Sequence, residues 1–277
     1  MMQYIEYHFT TADENTVEIL VALLADLGFD TFEQDTNTLF AYILEKDHTE
    51  ELKHEIENLQ SQFIFNYKSQ SIAEKNWNEE WEKNFQPVNV ENRCLIRATF
   101  HPEQTGFEEV IVIEPRMAFG TGHHDSTYLM IQEMMNMDFK NKQVCDAGSG
   151  TGILAILAAK RGADFVFAID NNEWAYHNAI DNIGLNAVVD IIETELGELD
   201  MLTNKSFDII LANINKTVIQ ENITLLSNAI KKDGIILISG ILIPDLQDIT
   251  NVAEKNGLHL YNSWKRNEWI SAVFTKS

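Results

Sequence analysis

Alternation and helical spacing divide the chain before any single residue stands out. Residues 4–9 alternate and read as a strand. Thr11-Ala12-Asp13-Glu14 has the form of a capping box, and Val17, Leu20, Val21, Leu24 and Leu27 then recur at helical spacing until Gly28. Residues 31–34 and 38–44 read as strands joined at Asp35-Thr36-Asn37. Residues 50–59 carry Leu52, Ile56 and Leu59 on one helical face, and residues 63–67 form a further strand. Strand, helix, strand, strand, helix, strand is the order of a ferredoxin-like α+β domain built from two split βαβ units. Residues 1–70 hold no cluster of catalytic residue types, so they read as a recognition module, although such a fold names no function by itself.

A charged helix is expected over residues 73–85, with Trp77, Trp81 and Phe85 spaced four apart and Pro87 as its stop. Helical aromatic stripes usually pack, so residues 71–90 read as a linker helix docking on a neighbouring domain. A surface that grips a substrate is the alternative. Strands at 93–99 and 109–113 surround a turn-like stretch at 102–106, and a helix is expected at 128–135. From residue 143 strands and helices alternate: strand 143–147, helix 152–161, strand 165–170, helix 172–182, strands 188–193 and 207–213, helix 217–230, strand 234–239 and helix 244–255. A hairpin of residues 259–264 and 269–275 around Arg266-Asn267-Glu268 closes the chain. The pattern predicts an α/β domain over residues 91–277, a Rossmann-like doubly wound, mostly parallel sheet with helices on both faces. Ligands of such sheets lie at the carboxyl ends of the strands, where the strand order reverses.

Polar residues collect at that predicted edge. Asp146-Ala147-Gly148-Ser149-Gly150-Thr151-Gly152 joins a strand to a helix with glycine at every second position, so backbone can come close to a ligand. A dinucleotide fold requires G-x-G-x-x-G, whereas this turn reads G-x-G-x-G. Asp146, before the turn, suits a ligand carrying positive charge and an amine, such as the amino-acid end of S-adenosylmethionine. Asp170 ends the next apolar strand, placed to hold a ribose diol, and Asn213 ends a third with a carboxamide that both donates and accepts. Asn213 as a turn or helix-cap residue is the plainer reading, weakened by the company of the other two strand ends.

Residues 115–127 hold two glycines and three hydroxyls, which suggests a polar loop that covers a ligand. Its His123-His124-Asp125 lacks any recognised metal spacing, and no metal is expected. The formal charge of −23 argues against general nucleic-acid binding and favours encounter with a basic partner. No run of eighteen apolar residues and no secretory leader are found, and the two cysteines, Cys94 and Cys145, form no framework. A cytoplasmic monomer is expected.

Taken together, Trp77-Asn78 through Trp81, Phe85 and Pro87, the segment Ala118-Phe119-Gly120-Thr121-Gly122-His123-His124, the glycine turn and Asn213-Ile214-Asn215 resemble the PrmA family, the ribosomal protein L-eleven methyltransferases. The resemblance covers nearly the whole chain. It implies a ferredoxin-like recognition domain, a linker helix and a class I methyltransferase domain. The implied donor is S-adenosylmethionine, and the implied substrates are lysine ε-amines and the N-terminal α-amine of one large-subunit ribosomal protein. Carried over position by position, the cofactor contacts fall on Thr127, Gly148, Asp170 and Asn213, with Phe119 and His124 over the cofactor. Ser126, Ala147 and Thr151 depart mildly from the family pattern, whereas Asn215 and Lys216 replace a commoner apolar pair on the substrate side.

The chemistry requires no protein base, and none is assigned: a sulfonium methyl is already activated, and proximity with desolvation of the amine supplies the rate. Methylation of a glutamine side chain or a small molecule is the runner-up. Asn213-Ile214-Asn215-Lys216 lacks the prolines usual in glutamine methylases. A non-catalytic ribosome-binding module with a nucleoside pocket is the alternative outside enzymes.

Overall fold

The computed structural model describes residues 4–12, 14–72, 85–115 and 120–277; Asp13, Trp77, Trp81 and Phe119, and with them most of the expected linker helix, lie outside the described residues. The chain divides into two compact units, Met1–Asn84 and Phe85–Ser277.

The first unit contains β1 (Tyr4–Thr11), α1 (Glu14–Asp26), β2 (Thr31–Asp35), β3 (Thr38–Leu44), α2 (Glu50–Gln60) and β4 (Phe65–Ile72). Its sheet has the order β2-β3-β1-β4 with every pair antiparallel, the ferredoxin-like arrangement that the element order predicts. Alternation explains the core: Ile5, Tyr7 and Phe9 of β1 and Leu39, Ala41 and Ile43 of β3 share one face. Val17, Leu20 and Leu24 of α1 and Leu52 and Ile56 of α2 cover it. Thr11 belongs to the strand, its backbone N–H donating to Asn37 O at 2.9 Å, and the helix opens only at Glu14. Thr49 does cap α2, accepting from Leu52 N–H at 3.2 Å.

The second unit opens with a small sheet of β5 (Val88–Val90), β6 (Cys94–Ala98) and β7 (Glu109–Ile113), in which β6 and β7 run parallel. Then follow α3 (Asp125–Met134), β8 (Gln143–Ala147), α4 (Ile153–Lys160), β9 (Phe165–Asp170), α5 (Glu173–Leu185), β10 (Ile192–Leu196) and β11 (Phe207–Asn213). The chain finishes with α6 (Lys216–Ala229), β12 (Ile230–Leu242), α7 (Leu246–Lys255), β13 (Leu258–Arg266) and β14 (Trp269–Lys276). The large sheet has the order β10-β9-β8-β11-β12-β14-β13. β8 to β12 are parallel, and β14 enters antiparallel between β12 and β13.

Successive residues of the central strands face opposite cores. Val144, Val166, Ala168, Ile209 and Leu211 join the core covered by α3, α4 and α5, while Cys145, Phe167, Ile169, Ile210 and Ala212 join the one covered by α6 and α7. Burial on both faces is why these strands read as unbroken apolar runs. The strand expected at 188–193 lies later in the chain. Ala187 takes a φ of +55° and Val188 N–H returns to Ile183 O, so the apolar residues 188 and 191 are packed by a turn and Ile192 opens β10. β10 itself reads Ile-Glu-Thr-Glu-Leu because it is an edge strand with polar side chains toward solvent.

One cluster of side chains ties the small sheet to the large one. Asn178 and Asn182 of α5 and its C-cap residue Asn186 line up against the free edge of β7. Asn186 accepts from Val112 N–H at 3.0 Å and donates to Val112 O at 2.6 Å. Asn182 accepts from Glu114 N–H at 2.7 Å and donates to Thr151 O at 2.8 Å, and Asn178 donates to Glu114 O at 3.0 Å. Carboxamides thus replace the strand that would otherwise complete this edge, and they reach the glycine turn. Asn182 is fully buried, so Asn182→Ala orphans a backbone donor and an acceptor and is expected to cost about 2–4 kcal/mol, read as a lower urea midpoint.

Candidate active site

The strand order reverses between β8 and β11, since β9 and β10 extend one way and β11 and β12 the other. A cavity of about 480 Å³ opens there, a volume suited to a nucleoside-sized ligand. One end is walled by Gly148, Ser149 and Gly150, by Ile169, Asp170 and Asn171, and by Gly197, Glu198 and Leu199. The other is walled by Asn213, Ile214, Asn215, Gly240, His124 and Trp269.

The turn after β8 is closed by its own hydrogen bonds. Gly148 and Ser149 N–H both donate to Ile169 O, at 2.8 and 3.0 Å, and Gly152 N–H donates to Ser149 O at 2.8 Å. Gly150 N–H donates to Asp170 Oδ2 at 2.8 Å. Amides that would cradle a pyrophosphate in a dinucleotide fold are therefore committed within the protein. The described wall carries Asp170 and Glu198 and neither lysine nor arginine, which disfavours a phosphate and suits a cationic ligand with hydroxyls. Gly148 has a φ of +75°, and a Cβ there would strike the Ile214 side chain.

Of the residues expected from the sequence, Phe119 lies outside the described residues and the others have definite places. Gly148, Asp170, Asn213 and His124 line the cavity. The Asp170 carboxylate accepts from Gly150 N–H and, at 2.9 Å, from Asn172 N–H, and its remaining lone pairs can accept from ribose hydroxyls. Asn213 Nδ2 donates to Thr127 Oγ1 at 3.2 Å, while Asn213 Oδ1 is buried with no hydrogen-bond partner among the described residues. Thr127 stands behind Asn213, fully buried in the first turn of α3, because that helix begins at Asp125 rather than at 128.

His124 caps α3, accepting from Ser126 N–H at 3.2 Å, and its ring meets Trp269 edge to face at 4.3 Å. His123 reaches Gln86 O at 2.9 Å and Asp125 meets the β13–β14 turn, so the three residues of His123-His124-Asp125 diverge. Asp146 departs from expectation. It lies fully buried beneath the turn, accepting from Ala155 N–H at 3.0 Å, and does not line the cavity. Burial pushes its carboxyl up to about 7.

Trp269, Gly240 and Glu198 are wall residues that sequence reasoning passed over. Gly240 has a φ of +81°, and a Cβ there would stand 2.9 Å from the Ile214 carbonyl carbon, so glycine lets β12 approach the segment after β11. A glycine inside an apolar strand was the available signal. Trp269 carried none, since it enters the site from the far end of the chain.

The chain matches the family model described as ribosomal protein L11 methyltransferase (PrmA) over residues 8–277. It is 39% identical to the ribosomal protein L11 methyltransferase of Porphyromonas gingivalis over 288 residues, covering 99% of this chain and 98% of that one. It is likewise 39% identical to that of Bacteroides thetaiotaomicron over 283 residues, covering 99% of this chain and 100% of the other. The crystal structure of ribosomal protein L11 methylase from Lactobacillus delbrueckii subsp. bulgaricus superposes with a TM-score of 0.65 at 28% identity, covering 70% of this chain and 100% of that one.

The raised carboxyl of Asp146 has a consequence for stability. The folded chain holds this proton up to about pH 7, whereas the unfolded chain releases it near 3.8, so the residue costs stability progressively as pH rises between those values. Asp146→Asn removes that cost. The stability of the variant minus that of the wild type is expected to grow between pH 4 and pH 7 and then level, read by urea melts across that range.

Proposed function

From the premise that this chain belongs to the ribosomal protein L11 methyltransferase family, we propose that it transfers methyl groups from S-adenosylmethionine to amines of that ribosomal protein, both lysine ε-amines and the N-terminal α-amine. The observation that carries the reading is the cavity at the reversal of strand order, with committed turn amides and a wall holding acids but neither lysine nor arginine. The donor, when bound, supplies a methyl group already activated by a sulfonium.

Asp170 holds the ribose hydroxyls, and Gly148 lets the backbone approach. Asn213, its amide orientation set by Thr127, stands in the wall beside the proposed transfer region with a buried, unpartnered carboxamide oxygen, and it is assigned to placing the amine there. The amine must be neutral to attack, and a lysine starts near a pKa of about 10.4. Half-buried rings of His124 and Trp269 limit water at this end, and desolvation lowers the amine pKa without a protein base. Most of the rate comes from alignment of nitrogen, methyl and sulfur.

The ferredoxin-like unit is assigned to substrate recognition, and the formal charge of −23 favours a basic protein partner. Cytoplasm is the proposed setting: both cysteines are buried free thiols, and no described helix is long and apolar enough to cross a membrane.

Asp170→Ala is expected to weaken donor binding about 10- to 100-fold by calorimetry, and unchanged affinity would remove the residue from the site. Incubation with labelled donor and purified large-subunit proteins, followed by mass mapping, tests the acceptor. Label on amines of the one ribosomal protein supports the proposal. Label on a glutamine, or donor binding without transfer, refutes it.

A further inference from the structure

The turn of the β13–β14 hairpin is fastened to the start of α3, a residue pair 141 positions apart in sequence. Arg266 Nε donates to Asp125 Oδ1 at 2.7 Å, and Asn267 Nδ2 donates to Asp125 Oδ2 at 2.7 Å, so one carboxylate grips two successive turn residues. The Arg266 guanidinium carbon also lies 3.7 Å over the Tyr128 ring, one turn along α3. Asn267 adopts a φ of +51°, a conformation asparagine tolerates, and this directs its amide at the same carboxylate. The hydrogen bond from Asn267, followed by that from Arg266, holds the Asp125 carboxyl below its usual range.

Each end of this contact adjoins a wall residue. Asp125 directly follows His124, and Arg266 faces Trp269 across the hairpin. His124 and Trp269 are the aromatic pair at the β11–β14 end of the cavity. We infer that Asp125, Arg266 and Asn267 act as a latch of positioning residues that sets the His124–Trp269 wall where the acceptor amine enters, an inference that rests on the amine-transfer reading above.

Magnitudes separate this role from ordinary surface pairing. Arg266 is 43% exposed and Asp125 22%, and exposed ion pairs contribute at most about 1 kcal/mol to folding. A misplacement of about 1 Å at a reacting centre can nevertheless cost about a hundredfold in rate. A latch therefore changes transfer far more than it changes stability.

The test uses the full chain with Asp125→Asn, Arg266→Gln and the double variant. Each single variant is expected to lower kcat/KM for the ribosomal protein about tenfold, the double no further, with the donor Kd held within about twofold. Hydrogen exchange should rise together in segments 120–128 and 262–270 in every variant. The latch is overturned if kcat/KM is unchanged, if donor affinity falls in step with transfer, or if exchange rises in one segment alone. Should Asp125→Asn fail to fold, Arg266→Gln, at an exposed side chain, carries the same comparison. If the wild type transfers to no amine while exchange still rises in concert, the latch stands and the acceptor reading is what fails.

Discussion

The Asp170 carboxylate, bound to the Gly150 amide, is the contact on which the site depends. It joins the end of β9 to the turn after β8, and the same turn sends two further amides to Ile169 O. The loop that would otherwise be an anion cradle is thereby closed, and its carboxylate remains facing the cavity. A strand-end acid thus turns a phosphate-binding geometry into one suited to a ribose and a positive charge.

This arrangement holds because its surroundings leave little freedom. α4 is buried along Ile153–Ala159, so the helix following the turn is fixed from every side. Asn182 braces Thr151 O, and Thr151 Oγ1 donates to Gly120 O at 2.6 Å, so the same residue that ends the turn also holds a glycine of the cavity wall. On the other side Gly240 admits Ile214 against β12. The site is therefore assembled from backbone approaches at glycines and from side-chain amides that complete hydrogen bonds where no strand pairs. The two ends of the cavity differ in chemistry, one lined by carboxylates and glycine backbone, the other by carboxamides and aromatic rings. Under the proposed reading, that asymmetry assigns one end to the methyl donor and the other to the acceptor amine.

Periodicity and strand-end residues made much of this legible. Alternation in residues 4–9 and the unbroken apolar runs ending at Asp170 and Asn213 follow from half burial and full burial respectively, and both strands end where expected. Residues 188–191 misled because apolar side chains are buried equally well by a turn as by a strand, and β10 at the sheet edge is polar. The acid at 146 was legible as important but not as buried, since sequence does not tell whether a carboxylate faces a ligand or a helix amide.

Local sequence determined most of the elements and the set of strand-end polar residues, because these depend on neighbours a few positions away. Tertiary structure alone decided which of those residues share a cavity, that Thr127 stands behind Asn213, and that Trp269 completes the wall beside His124. It also decided that asparagines of α5 finish the edge of β7. Such contacts join residues far apart in the chain, and their geometry is set by how the sheets and helices pack rather than by any short-range preference of the residues themselves.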